Sequence, residues 1–101
     1  WNESPCLTKA AAEWIVAKQP RAVGFDFAQE EKGDVHEYEK AEDILTGSMR
    51  VHKAMLPHLT FQIENLINLD QLVGREFELW ALPIKLQGGD GAAARAVARI
   101  L

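Results

Sequence analysis

The sequence predicts an α/β fold, and three observations lead there. A capped, alanine-rich helical run is followed at once by a short apolar segment, as in a helix-to-strand unit. Further along, LTFQIEN alternates apolar and polar residues with a period of two. REFELWALPIKL is a second, longer strand-like run.

The first helix is read over Thr8 and the run KAAAEWIVAKQ that follows. The Thr8 hydroxyl is suited to accept from the first free backbone N–H groups, and Ala10 to Ala12 have the highest helix propensity. The three-four spacing puts Trp14 and Ile15 toward a core. Pro20 ends the helix. RAVGFDF, residues 21–27, then reads as a buried strand, with Asp26 near its end as a turn residue.

Residues 28–46 form an acidic excursion of variable character. Its glycine and acid spacing does not match a calcium loop, and His36 reads as a surface histidine among acids. A short helix is expected over 47–57, capped by Thr46 or Ser48 and closed near Pro57. In the strand that follows, Phe61 and Ile63 face one way. Thr60, Gln62 and Glu64 face the other, polar way.

NLDQLVG is a tight connection with a helical turn closed by Gly74. In the next strand Phe77, Leu79 and Ala81 share a side, and Pro83 marks an end, edge or bulge. GGDG is a turn. The tail AAARAVARIL is ambiguous. Alanine propensity favours a helix. Alternation of Arg95, Val97 and Arg99 against Ala96, Ala98 and Ile100 permits a strand.

Composition narrows the function classes. At 101 residues there is room for one domain. A net charge of −4 argues against nucleic acid and anionic membrane surfaces as partners. The single cysteine, Cys6, excludes an internal disulfide framework and a thiolate zinc cluster. It fits a reducing compartment, so a cytoplasmic location is expected. No apolar run approaches the ~20 residues that cross a bilayer. The chain opens on Trp1 rather than methionine and reads as beginning inside a longer protein.

His52 and Glu64 stand out because one lies in the helical run and the other on the polar face of the strand behind it. A helix that stops at Pro57 and reverses into a strand can bring the two side chains together. An imidazole nitrogen and a carboxylate oxygen suit zinc or manganese. Spacing alone leaves open whether they share a site.

Three stretches resemble the C-terminal part of the cyclase family of metal-dependent hydrolases, the kynurenine formamidase and isatin hydrolase-like group. They are PCLTKAAAEWIVAKQPRAVGFD, HKAMLPHLTFQIENLINLDQL and FELWALPIKLQGGDGAAARAVA. ENLINLD and ALPIKLQGGDG are the more specific of the matches. The resemblance implies that residues 1–101 are the C-terminal part of a single hydrolase domain. Its fold would be of the swivelling β/β/α type, a mixed sheet or barrel-like β core with flanking helices, and AAARAVARIL would be a strand. It implies that His52 and Glu64 are metal ligands, for zinc or manganese. Asn65 beside Glu64, and Gln62 on the same strand face, are the candidates to support them by hydrogen bonding.

The family draws its other ligands from an upstream His-x-Gly-Thr-His-x-Asp motif, and a further histidine beyond it acts as acid or base. This chain has only His36, His52 and His58, and no Gly-Thr-His, so it carries no catalytic residue of its own. A missing upstream segment or a partner chain is expected to supply them, in a homo-oligomer acting on a small-molecule amide. The implied reaction is hydrolysis of a carbon–nitrogen bond in a cyclic or formyl amide. The alternative is a truncated, non-catalytic relative that serves as an assembly or binding module. Cys6 reads as a small packed residue.

Overall fold

The structure is a computed structural model that describes residues 5–28 and 49–101. The chain divides into two units, Trp1–Asn65 and Leu66–Leu101. Helices and strands are mixed, as expected for an α/β chain. The described residues form two small sheets and no closed barrel. The acidic excursion, with His36 and the caps expected at Thr46 and Ser48, lies outside the described residues.

In the first unit, helix α1 spans Lys9–Val16. Thr8 caps it as expected, its hydroxyl accepting from the Ala11 N–H at 3.2 Å. The helix ends over Ala17 and Lys18, and Gln19 takes a left-handed φ of 54° just before Pro20. There the Gln19 N–H donates to the Val16 carbonyl at 2.8 Å, which satisfies an end carbonyl of the helix. Removing the cap with Thr8→Ala is expected to cost about 1 kcal/mol. A urea midpoint unchanged in that variant would contradict the capping role.

Which face of α1 is buried differs from the expectation. Ala12 is fully buried and Ile15 and Val16 pack beside it. Trp14, expected in the core, is 65% exposed, and the Lys18 ammonium lies 5.1 Å from its ring centroid. Trp14 is two residues from Ala12, which places it well round the helix from the buried stripe. The small Ala12 side chain suits a close approach of α1 to the second helix, with which it is in contact.

That helix, α2, spans Arg50–Met55 and runs into a 3-10 turn, Leu56–His58. It is shorter than expected, and its N-cap is Met49, whose side chain makes no capping bond. Val51 and Met55, one turn apart, are fully buried and meet Ala12 and Phe25 in the core. Phe27 packs on this cluster, its ring centroid 5.4 Å from that of Phe25.

Strands β1, Ala22–Gly24, and β2, Phe61–Ile63, pair in parallel with Val23 opposite Gln62. The pairing runs on past both ends. The Phe61 N–H donates to the Arg21 carbonyl at 3.0 Å and the Phe25 N–H to the Ile63 carbonyl at 2.9 Å. β1 is less buried than expected, because only Val23 of its three residues is half-buried and the inward set continues at Phe25. Cys6 is exposed rather than packed.

The second unit is built on a hairpin. A 3-10 turn, Leu69–Leu72, closes at Gly74 with φ 71°, as expected for this connection. β3, Phe77–Pro83, pairs antiparallel with β4, Ala94–Ile100. β3 ends at Pro83, as expected. The turn within GGDG is present, with the Gly89 N–H donating to the Leu86 carbonyl and Gly88 at φ 73°. The alanine-rich tail is therefore a strand. Register places Phe77, Leu79 and Ala81 opposite Ile100, Ala98 and Ala96 on one apolar face. On the other face Glu78 pairs with Arg99, whose guanidinium carbon lies 5.8 Å from the Trp80 ring centroid. Cross-strand pairing thus outweighs the helix propensity of the alanines.

Candidate functional site

His52 and Glu64 come together within the first unit. The His52 Nε2 and a Glu64 carboxylate oxygen are 3.5 Å apart. Three local features bring this about. His52 follows the buried Val51 on α2, so it stands at the margin of the helix face that packs inward. The chain then reverses at Leu59, which adopts a left-handed φ of 58°, and the Thr60 N–H donates back to the Met55 carbonyl. Finally, the backbone on either side of Glu64 is held by the neighbouring segment. The Ile63 carbonyl accepts from the Phe25 N–H, and the Asn65 N–H donates to the Phe27 carbonyl at 3.4 Å.

On the side of the chain that carries Glu64, burial falls from Thr60 through half-buried Gln62 to exposed Glu64, one residue past the strand. Thr60 is only 1% exposed, and its hydroxyl donates to the Pro20 carbonyl at 3.1 Å. Gln62, next on that face, buries its amide nitrogen. Phe61, on the apolar face, is 63% exposed. Ile63, on the same side as Phe61, is half-buried and Glu64 is exposed, so burial does not follow a strict period of two here. A buried hydroxyl with a partner is tolerated where an unpaired one is costly. Thr60→Val keeps the shape and removes the donor to Pro20. It is expected to cost about 1 kcal/mol. An unshifted urea midpoint would show that this bond adds nothing. No feature of the sequence distinguishes Thr60 from an ordinary solvated threonine.

The separation of the pair is chemically informative. At 3.5 Å it is longer than a good side-chain hydrogen bond. Two donors each ~2.0–2.1 Å from a tetrahedral ion stand roughly 3.4 Å apart. The side chains are 25% and 34% exposed, so the donor atoms stand at a surface that an ion can reach. On donor type and spacing the pair fits one edge of a zinc or manganese coordination shell. Among the described residues no group of three or more histidine, cysteine, aspartate or glutamate side chains gathers to hold an ion.

The remaining candidates fall around this pair. Asn65 has φ 55°, a conformation asparagine tolerates better than most residues, so its place at the strand end has a backbone reason. Asp26 is exposed in a bend. His58 is exposed, and with Lys9, Glu13, Arg50 and Lys53 it lines an open groove of about 670 Å³. Neither His52 nor Glu64 lines that groove, so it does not coincide with the donor pair. Long, flexible side chains make up much of its wall, and we place the candidate chemistry at the pair. No helix among the described residues is long and apolar enough to cross a membrane.

Comparison of the chain with protein-family models, curated proteins and solved structures yields no significant match.

Proposed function

We propose that this chain supplies two ligands, His52 and Glu64, to a metal-dependent hydrolase that cleaves a carbon–nitrogen bond in a cyclic or formyl amide. The observation that carries the reading is the 3.5 Å approach of His52 Nε2 to the Glu64 carboxylate across a helix-to-strand reversal. The same two residues are the ligand positions in the resemblance to the cyclase family. In this reading residues 1–101 are the C-terminal part of one hydrolase domain, with the barrel-like β core of that family. An upstream segment or partner chain adds the His-x-Gly-Thr-His-x-Asp ligands and the acid–base histidine.

A zinc or manganese ion in such a site activates water and polarises an amide carbonyl. The chain's own residues set the site's geometry. His52 offers a neutral nitrogen and Glu64 an anionic oxygen. The parallel pairing of β2 holds Glu64 in place, and the buried Val51 and Met55 hold α2. Gln62 sits two residues before Glu64 on the same strand face, where it can help to orient the carboxylate. Asn65 follows Glu64 directly, in the bend just past β2.

The second reading is a non-catalytic relative that serves assembly. Among the described residues two donors come together, where a hydrolytic zinc site uses three. The experiment that separates the two readings joins these 101 residues to the upstream ligand segment. It then follows hydrolysis of an N-formyl amide and of a cyclic amide. The hydrolase reading expects activity that is lost on chelation, restored by zinc or manganese, and abolished in Glu64→Ala. A complete, folded assembly with no metal and no turnover of either amide would support the assembly role instead.

A further inference from the structure

The separation of His52 and Glu64 is set where helix α2 hands over to strand β2. We propose that Thr60, at that junction, is the positioning residue of the pair: its hydroxyl bond to the Pro20 carbonyl holds β2 in the register that keeps Glu64 beside His52. The inference rests on the ligand assignment above and names the residue that sets the geometry of that same site.

The ladder that carries Glu64 is short. β1 and β2 pair over three residues each, from Ala22 with Phe61 to Gly24 with Ile63. So few pairs do little to fix their own register, and a slip of one residue carries every side chain to the opposite face. Glu64, one residue past β2, would then leave His52. Thr60 stands one residue before the ladder. There the Phe61 N–H donates to the Arg21 carbonyl at 3.0 Å, and the Thr60 hydroxyl donates to the Pro20 carbonyl at 3.1 Å. The side-chain bond therefore continues the attachment of β2 to the segment that leads into β1. The Thr60 N–H at the same time donates to the Met55 carbonyl at 3.4 Å, at the end of the helix that carries His52. One residue is thus bonded both to the helix of one donor and to the strand neighbour of the other. Leu59, the left-handed residue of the reversal, is 74% exposed, so its side chain does little to hold the turn. Thr60 is buried, where a hydrogen bond is stronger than in water. Such a bond is directional, whereas the apolar contacts of the cluster around Met55 are not.

The zinc affinity of the complete assembly, read by competition against a chromophoric chelator, tests this on variants shown by circular dichroism to be folded. Thr60→Val removes the donor and keeps the shape. It is expected to lower the affinity about tenfold, the low end of the cost of removing a group that supports a ligand. Thr60→Ser keeps the hydroxyl and loses a methyl, and is expected to bind zinc as the parent does. Thr8→Ala weakens the same unit through the α1 cap and is expected to leave the affinity unchanged. Thr60→Ala, which drops the donor without placing a methyl against the Pro20 carbonyl, serves if the valine variant fails to fold. Equal losses in the donor-free and serine variants, or a matching loss in Thr8→Ala, would assign the effect to packing or overall stability and overturn the positioning role. Parent-like affinity in Thr60→Val, beside a His52→Ala variant that has lost the metal, would overturn it too and leave the ligand assignment standing. Parent-like affinity in His52→Ala would overturn both.

Discussion

Replacing His52 with alanine in the complete assembly is expected to weaken zinc or manganese binding by about a hundredfold or more. Removing a residue that merely supports a ligand already costs roughly 10–100-fold, and a direct donor is worth at least the upper end of that range. Among the described residues the loss leaves Glu64 as the remaining donor of the pair. Glu64→Ala is expected to have a comparable effect, and Glu64→Gln separates the charge from the shape. The fold should survive these changes, because both side chains are partly exposed and lie outside the buried cluster of Ala12, Phe25, Val51 and Met55. Competition against a chromophoric chelator measures the affinity, with circular dichroism as the control for folding. Parent-like affinity in both alanine variants would remove the pair from the metal site.

The largest expected effect on stability is that of Met55→Ala. Met55 is fully buried at the end of α2 and belongs to the cluster that holds the first unit together. Truncating a buried methionine to alanine costs about 2–5 kcal/mol, through lost burial and the cavity left behind. Domains of this size are stable by only ~5–15 kcal/mol, so the change consumes a large fraction of the total. Met55→Leu nearly conserves volume and is expected to cost less than ~1.5 kcal/mol. The effect should extend to the donor pair. The Met55 carbonyl accepts from the Thr60 N–H across the reversal, and His52 lies one turn earlier on the same helix. Urea unfolding monitored by tryptophan fluorescence tests the stability. Equal midpoints for parent and Met55→Ala would show that the cluster is not the stabilising core.

Much of the local structure was legible because local chemistry determines it. A threonine before an alanine run and a proline after it bracket α1, and Thr8 does cap it. Period-two alternation and a proline delimit β3. Gly74 closes its turn because the backbone there takes a positive φ. What was not legible depends on neighbours remote in sequence. The alanine tail has helix propensity, and only its register with β3 makes it a strand. Trp14 and Ala12 both satisfy a helical pattern, and which one is buried depends on how α2 approaches α1. Thr60 reads as one of three polar residues on a strand side, and only its bond to the remote Pro20 carbonyl accounts for its burial.

The candidate site divides in the same way. Pro57 signals that the helix must end, but nothing local signals the left-handed Leu59 that turns the chain back. Nor does a twelve-residue spacing disclose that β2 pairs in parallel with β1 and so fixes the backbone beside Glu64. The approach of the two side chains is therefore a property of the folded unit.

The most direct measurement is a crystal structure of the complete assembly grown with zinc, with anomalous data collected on either side of the zinc edge. The account predicts one anomalous peak bonded to His52 Nε2 and to a Glu64 carboxylate oxygen, each at ~2.0–2.2 Å. A peak held by other residues, with the imidazole and the carboxylate turned away from it, would contradict the account.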